Sequence, residues 1–313
     1  MSDASSLPLR AGPLPVADLI ALYMAHYTGR DTTRAQRLGW WKQRIGALPF
    51  QEVTDDHIHA ALEALAGDPA RRWAGKDADG LPIFKAAKKP MAPATINRYA
   101  AALAAVFTWS IRRRVAPKGW DHPGRRVERR TEDNEHTRFL SEEECRRLLD
   151  ACKASPWPKL YVLVLLALTT GARKGELLAM RWCDVDLAER VVYVARSKNG
   201  DPKVLPLVPA VVEQLQAMQG GPAALVFASK QRPGQAYAFE GRWAEALRMA
   251  KVRNFRYHDL RHSAASRLAR QGATLLEIAD LLGHRQISMS KRYSHLSSGH
   301  RSALVNRVSG DLR

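Results

Sequence analysis

Cysteine is scarce in this chain. Its three copies, Cys145, Cys152 and Cys183, are odd in number and form no CxxC pair. That pattern argues against a disulfide framework or a zinc site and for a reducing compartment. The three thiols are expected as small apolar packing residues. Long apolar runs are lacking too. The stretch from Leu160 to Leu168 is about half of the ~18 residues a bilayer crossing needs, and reads as a buried helix. The opening MSDASSLPLR has no basic start followed by an apolar region, so no secretory signal is expected. No GxxxxGK[ST] loop occurs, so nothing suggests a nucleotide-phosphate cradle. Acidic residues are the minority: 31 Asp and Glu stand against 49 Lys and Arg, a formal net charge of +18. So large an excess repels itself unless a polyanion offsets it. Nucleic acid is the leading partner, because neutralised phosphates release counterions; an anionic membrane surface is the rival.

What is present suffices for real cores. Hydrophobic residues make up 46% of 313, and the length suggests two domains. Residues 1–14 read as a frayed Ser- and Pro-containing start. Residues 15–116 read as an all-helical domain. VADLIALYMAHYT carries a helix period through Val16, Leu19, Ile20, Tyr23 and Met24. A second helix is expected from Thr32 to Ile45, a third after the cap Thr54 with Asp55 and Asp56 in its first turn, and a fourth from near Thr95 into Arg112, Arg113 and Arg114. Between the third and fourth, residues 67–92 are rich in Gly, Pro and Lys and read as a loop or insertion. Residues 117–137 read as a basic interdomain linker; Arg125 and Arg126 there, with Arg112–Arg114, are candidate phosphate contacts. Residues 138–313 read as a mainly helical domain with a small antiparallel sheet. Ser141 and Glu144 fit a capping box. Val191–Val194 and Val204–Leu207 read as strands joined by an Asn199-Gly200 hairpin turn.

Five local features of this second region suit phosphate chemistry. In Thr170-Gly171-Ala172-Arg173-Lys174-Gly175-Glu176 a glycine turn delivers Arg173 to a helix N-terminus, where a guanidinium suits phosphate oxygens and Glu176 can brace it. The hairpin offers Lys198, with Lys203 across the turn as a competing candidate. Tyr257-His258-Asp259-Leu260-Arg261-His262 places His258 and Arg261 one helical turn apart, while Leu260, Ala264 and Leu268 form a core stripe. His258 and His262 also have the i, i+4 spacing of a helical zinc site. The glutamate of HExxH is Asp259 here, however, and no third ligand is evident, so no metal is expected. Leu281-Leu282-Gly283-His284 places a histidine just past a helix end. Finally Tyr293 lies nine positions on (293 − 284), between basic residues; alone it would pass for a surface tyrosine.

Taken in order, TGARKGELLAMRW, a hairpin lysine, HDLRH, LLGH and a tyrosine nine residues later resemble the tyrosine recombinase (phage integrase) family, over residues 138–300. The helical first region resembles that family's core-binding domain. The resemblance implies a mainly α catalytic domain with a small antiparallel sheet. Its catalytic residues would be Arg173, Lys198, His258, Arg261, His284 and the nucleophile Tyr293, with Glu176 in support. It further implies His258 as the base, Lys198 as the general acid, and a 3′-phosphotyrosine intermediate with a free 5′-hydroxyl. No cofactor is implied. The partners implied are double-stranded DNA and three further copies of the chain, a homotetramer on two DNA sites. Accessory DNA-bending or directionality proteins are also compatible. The setting implied is the bacterial cytoplasm, at the nucleoid. A mobile-element integrase is the leading reading, and with so few residues ahead of Val16 no additional arm-site domain is expected there. A chromosome-dimer resolvase, a type IB topoisomerase and a non-catalytic DNA-binding regulator are the alternatives. The apolar Leu304 and Val305 suggest a terminal helix that docks on a neighbouring protomer.

Overall fold

The computed structural model describes residues 13–76, 82–133, 138–195 and 202–297 together with 306, 308 and 309, with the backbone alone for most of 71–88. The chain divides into two compact units, Met1–Asn134 and Glu135–Arg313. Among the described residues no helix is long and apolar enough to cross a membrane.

The first unit is built on α1 (Val16–Ala25), α2 (Arg34–Ile45), α3 (Asp55–Gly67) and α4 (Pro93–Arg112). Their apolar faces meet in one core that includes Val16, Leu19, Trp41, Phe50, Leu103 and Phe107, all buried. Each such side chain contributes roughly 1.5–3 kcal/mol by leaving water. Trp41 satisfies its indole N–H on the Tyr99 carbonyl at 2.9 Å. Thr54 caps α3 as expected, accepting from the His57 N–H.

Two expectations for this unit need correction. The described residues of 67–92 are mostly strand, not loop: β1 (Pro69–Lys76) and β2 (Pro82–Pro90) pair antiparallel, with Trp73 opposite Phe84. Two register shifts, at Pro69/Arg71 and Trp73/Gly75, break the period-2 pattern that would have revealed strands. Prolines stand at the strand ends, where no ladder donor is needed. The linker is also shorter than expected, because residues 115–133 belong to this unit. Trp120 packs edge-on against Phe50 and Phe107 at centroid distances of 5.1 and 5.5 Å, and His122 is buried. The Asn97 amide binds both the N–H and the carbonyl of Arg130. The surrounding charge run concealed the two rings that pin the segment.

The second unit is helical around a small sheet. α5 (Glu142–Lys153) begins with the expected Ser141/Glu144 capping box. α6 (Lys159–Thr170) is buried on nearly every side and supplies Leu160, Leu163, Val164 and Leu166 to the core. After α7 (Lys174–Ala179), β3 (Val185–Asp186), β4 (Val191–Val194) and β5 (Lys203–Pro206) form an antiparallel sheet in that order. α8 (Pro209–Gln216), α9 (Glu240–Met249), α10 (Asp259–Arg270), α11 (Leu275–Leu282) and a 3-10 run over Ile287–Ser297 complete it. Gly171 ends α6 at φ +61°, and a Cβ there would meet Leu282 Cδ2 at 2.3 Å. α6 and α11 can approach closely at that point because the residue is glycine. Cys145 and Cys152 are buried as expected. Cys183 is exposed instead, because the adjacent Trp182 takes the inward position in its short 3-10 turn.

Candidate active site

Within the second unit, chain turns set the site. Thr170 donates to the Leu166 carbonyl and accepts from the Ala172 N–H, which fixes the exit from α6. Arg173 is then the N-cap residue of α7. Glu176 accepts from both the Arg173 N–H and its Nη1, each at 2.9 Å. The brace expected of Glu176 is therefore present. A second cation shares that carboxylate: Lys203, at the start of β5, holds Nζ 2.7 Å from Glu176 Oε2. Both side chains are almost wholly buried.

Arg261, in the first turn of α10, is 5% exposed. It donates to the Gly171 carbonyl at 2.8 Å and the Leu282 carbonyl at 2.6 Å. Two of its five N–H donors are thus held by backbone, and the planar fork is fixed in orientation. His258 is the N-cap residue of α10, its ring perpendicular to that of His262 at 5.4 Å. His284 follows Gly283, whose φ of +65° turns the chain out of α11; its Nδ1 lies 2.8 Å from Oγ of the buried Ser290. Tyr293 is 2% exposed and packs with Ala265, Ala269, Ile278 and Leu282. That corrects its reading as a surface tyrosine, since the 3-10 run folds it back between α10 and α11. Its hydroxyl lies 2.7 Å from Nδ1 of His262.

Arg173, His258, Arg261, His284 and Tyr293 line one open cleft of about 430 Å³. His262, Arg285 and Arg292 line it too. Five of the six residues singled out from sequence therefore converge. The sixth, Lys198, lies outside the described residues. The sequence pattern offers His262 only as a metal ligand; its place beside Arg261 in the same motif is the signal that points to the cleft. Arg112, Arg113 and Arg114 lie exposed at the end of α4 in the first unit. Arg125 and Arg126 pair there with Asp121, and Arg126 also with Asp55.

Electrostatics follow from crowding cations around few carboxylates. Burial, reinforced by Arg173, brings Arg261 down to about 10, where it remains charged at neutrality. Burial and the cations around them bring His262 and His284 down to about 4, so both are neutral. Burial raises the Tyr293 phenol, against the pull of Arg292 and Arg261. Burial also lowers Lys203, which Glu176 pulls partly back up. For Glu176, the ion pair with Lys203 and the hydrogen bonds from Arg173 outweigh its burial and hold its carboxyl below the usual range. The result is a cationic pocket with neutral imidazoles and a protonated phenol, suited to a tetrahedral anion beside a hydroxyl nucleophile.

Residues 138–300 match the sequence model of the Phage integrase family, and the chain belongs to that family, the tyrosine recombinases. The integrase of Salmonella phage P22 is 26% identical over 302 residues, covering 88% of this chain and 74% of its own length. The shufflon-specific DNA recombinase of Escherichia coli is 38% identical over 138 residues, covering 44% of this chain and 35% of its own length. This chain thus spans about a third of that relative. Among solved structures, the Tn1549 transposon integrase in complex with transposon right-end DNA superposes with a TM-score of 0.69 at 18% identity, over 92% of this chain and 99% of that one. A lambda integrase dimer bound to a COC′ core site gives 0.64 at 18% identity, over 89% and 76%. These likenesses show the fold: a helical first region followed by a mainly helical one with a small antiparallel sheet.

Proposed function

We propose that this chain is a site-specific recombinase of a phage or other mobile element, which cuts and rejoins double-stranded DNA through Tyr293. The carrying observation is the convergence of Arg173, Arg261, His258, His284 and Tyr293 on one cleft. A phosphodiester repels nucleophiles because it is anionic. Two guanidiniums in fixed orientation neutralise its non-bridging oxygens, most strongly as charge grows in the transition state. Tyr293 Oη attacks phosphorus, the P–O5′ bond breaks, and a 3′-phosphotyrosine forms. One phosphate ester replaces another, so a 5′-hydroxyl from a different strand can reverse the step. His284, held by Ser290, hydrogen-bonds the phosphate. Lys198 serves as the general acid for the 5′ oxygen, while Lys203 is committed to Glu176. The active assembly is four chains on two duplexes, with phosphate contacts from Arg112–Arg114.

The test uses nicked suicide duplexes of randomised sequence. Adducts to the wild-type chain are isolated and sequenced to define the substrate. Tyr293→Phe should bind the selected duplex and form no adduct. A Phe variant that still becomes covalently attached would refute the nucleophile. Relaxation of supercoils without strand exchange would favour topoisomerase action instead.

A further inference from the structure

The resemblance gives the tyrosine's proton to His258, but the imidazole that meets the Tyr293 hydroxyl is His262. We propose that His262 is a catalytic residue: its Nδ1 takes the proton from Tyr293 as the phosphotyrosine bond forms and returns it on rejoining. The inference rests on the recombinase reading above.

Three observations carry it. The Nδ1–Oη distance is 2.7 Å, within direct proton-transfer reach, whereas the Nδ1 of the third cleft histidine, His284, is engaged by Ser290. His262 projects from the middle of the first turns of α10, whose neighbour Arg261 is locked by two carbonyls, so the base stands on the same rigid element as a phosphate-binding group. Both His262 and Tyr293 line the cleft, so the bond lies at the site and is not buried away from it. With its proton on Nε2, the imidazole accepts from the phenol through Nδ1.

The step balances without any added reagent. The Oη–H bond breaks and Nδ1–H forms; Oη–P forms and P–O5′ breaks; the 5′ oxygen takes a proton from the lysine. In the reverse step the imidazolium returns its proton to Oη, and the attacking 5′-hydroxyl gives its proton back to Lys198. His258, Asp259 and Arg261 face His262 along its own element; Tyr293 and Arg292 face it from the 3-10 run, and His284 from the end of α11. Without DNA those cations and burial hold His262 neutral and weakly basic while the phenol stays protonated. A phosphodiester seated between Arg173 and Arg261 offsets the cationic field, making His262 more basic as Oη becomes an ester oxygen. The site would thus activate its nucleophile chiefly when substrate is in place.

The test measures single-turnover adduct formation from pH 6 to 9 on the duplex selected with wild type. His262→Gln keeps a hydrogen-bonding side chain but has no base. Its rate should fall about 100- to 10,000-fold near neutrality, the usual contribution of a general base. It should then rise about tenfold per pH unit, because only phenolate can attack. Placing a fluorinated tyrosine of lower phenol pKa at 293 should restore the variant's rate at neutral pH. A Gln variant whose profile merely parallels wild type, or one that the fluorinated tyrosine leaves inert, overturns the proposal and makes His262 structural. Absence of any wild-type adduct overturns the recombinase reading, and this inference with it.

Discussion

Replacing Glu176 by Gln should cost more stability than its size suggests, and the cost should depend on pH. The carboxylate serves Arg173 through two hydrogen bonds and Lys203 through a 2.7 Å ion pair, with side chains only 5% and 9% exposed in that last pair. At 2.7 Å and an effective dielectric of about 20, Coulomb's law gives a gross attraction of ~6 kcal/mol. Breaking a buried pair by removing one partner typically costs about 3–5 kcal/mol, since the other charge stays buried. Gln also cannot accept everywhere Glu did, because its NH2 must face one of several donors. Lys203 provides the relief valve. Its folded pKa already lies below its unfolded value, so between the two the unfolded chain binds more protons and stability rises with pH. Losing Glu176 lowers the folded value further and extends that window downward. The variant's deficit should therefore shrink by about 1.4 kcal/mol per pH unit across the added window.

The assay is a urea series at pH 6 to 9, read by pulsed hydrogen exchange of peptides carrying α7 and β5, which confines the signal to the second unit. Glu176→Gln combined with Lys203→Met should regain much of the loss, because the orphaned cation is gone. A Gln variant within 1 kcal/mol of wild type at every pH, with no added pH slope, would refute the view that this carboxylate holds the cationic cluster together.

Two further outcomes follow from packing. Gly171→Ala combines a left-handed φ, about 1–2 kcal/mol, with a collision at Leu282, about 1–3 kcal/mol, and it disturbs both carbonyls that orient Arg261. The second unit should melt roughly 5–15 °C lower by calorimetry, and adduct formation should fall with it; an unchanged melt would show that α6 and α11 can separate freely. In a thiol titration of the native chain, Cys183 should react and Cys145 and Cys152 should not, since both are buried and burial pushes Cys152 up to about 12. All three reacting at one rate would contradict the packing of α5.

Local signals were readable and long-range ones were not. Thr54 and Ser141 announced their helices because a cap acts within three residues. Gly171 and Gly283 announced chain reversals because few other residues adopt positive φ cheaply. The site residues could be named because motif order survives in sequence, but their partners could not. The Arg261–Gly171 bond joins positions 90 apart, and the His262–Tyr293 bond positions 31 apart. Trp120 reads as part of a basic linker because one of its two ring partners, Phe50, lies far back in the chain. The β1–β2 hairpin was hidden for another reason: its bulges destroy the alternation by which strands are read.

These two kinds of information meet at Tyr293. Its flanks, Lys291-Arg292 and Ser294-His295, are polar, and on local pattern the residue belongs at the surface. It is buried because Ala265 and Ala269 leave room on α10 and Ile278 and Leu282 wall the other side. A buried phenol needs a hydrogen-bond partner, since leaving it unpaired would cost about 1–3 kcal/mol, and His262 supplies one. The packing that conceals the tyrosine thereby sets it beside a neutral imidazole and among arginines that line the same cleft. A solvated tyrosine in the same cleft would have neither constraint, and its hydroxyl would have to find both base and phosphorus at the moment of reaction. Burial here fixes the nucleophile's geometry in advance, at the cost of a raised phenol pKa that the bound phosphate environment must overcome.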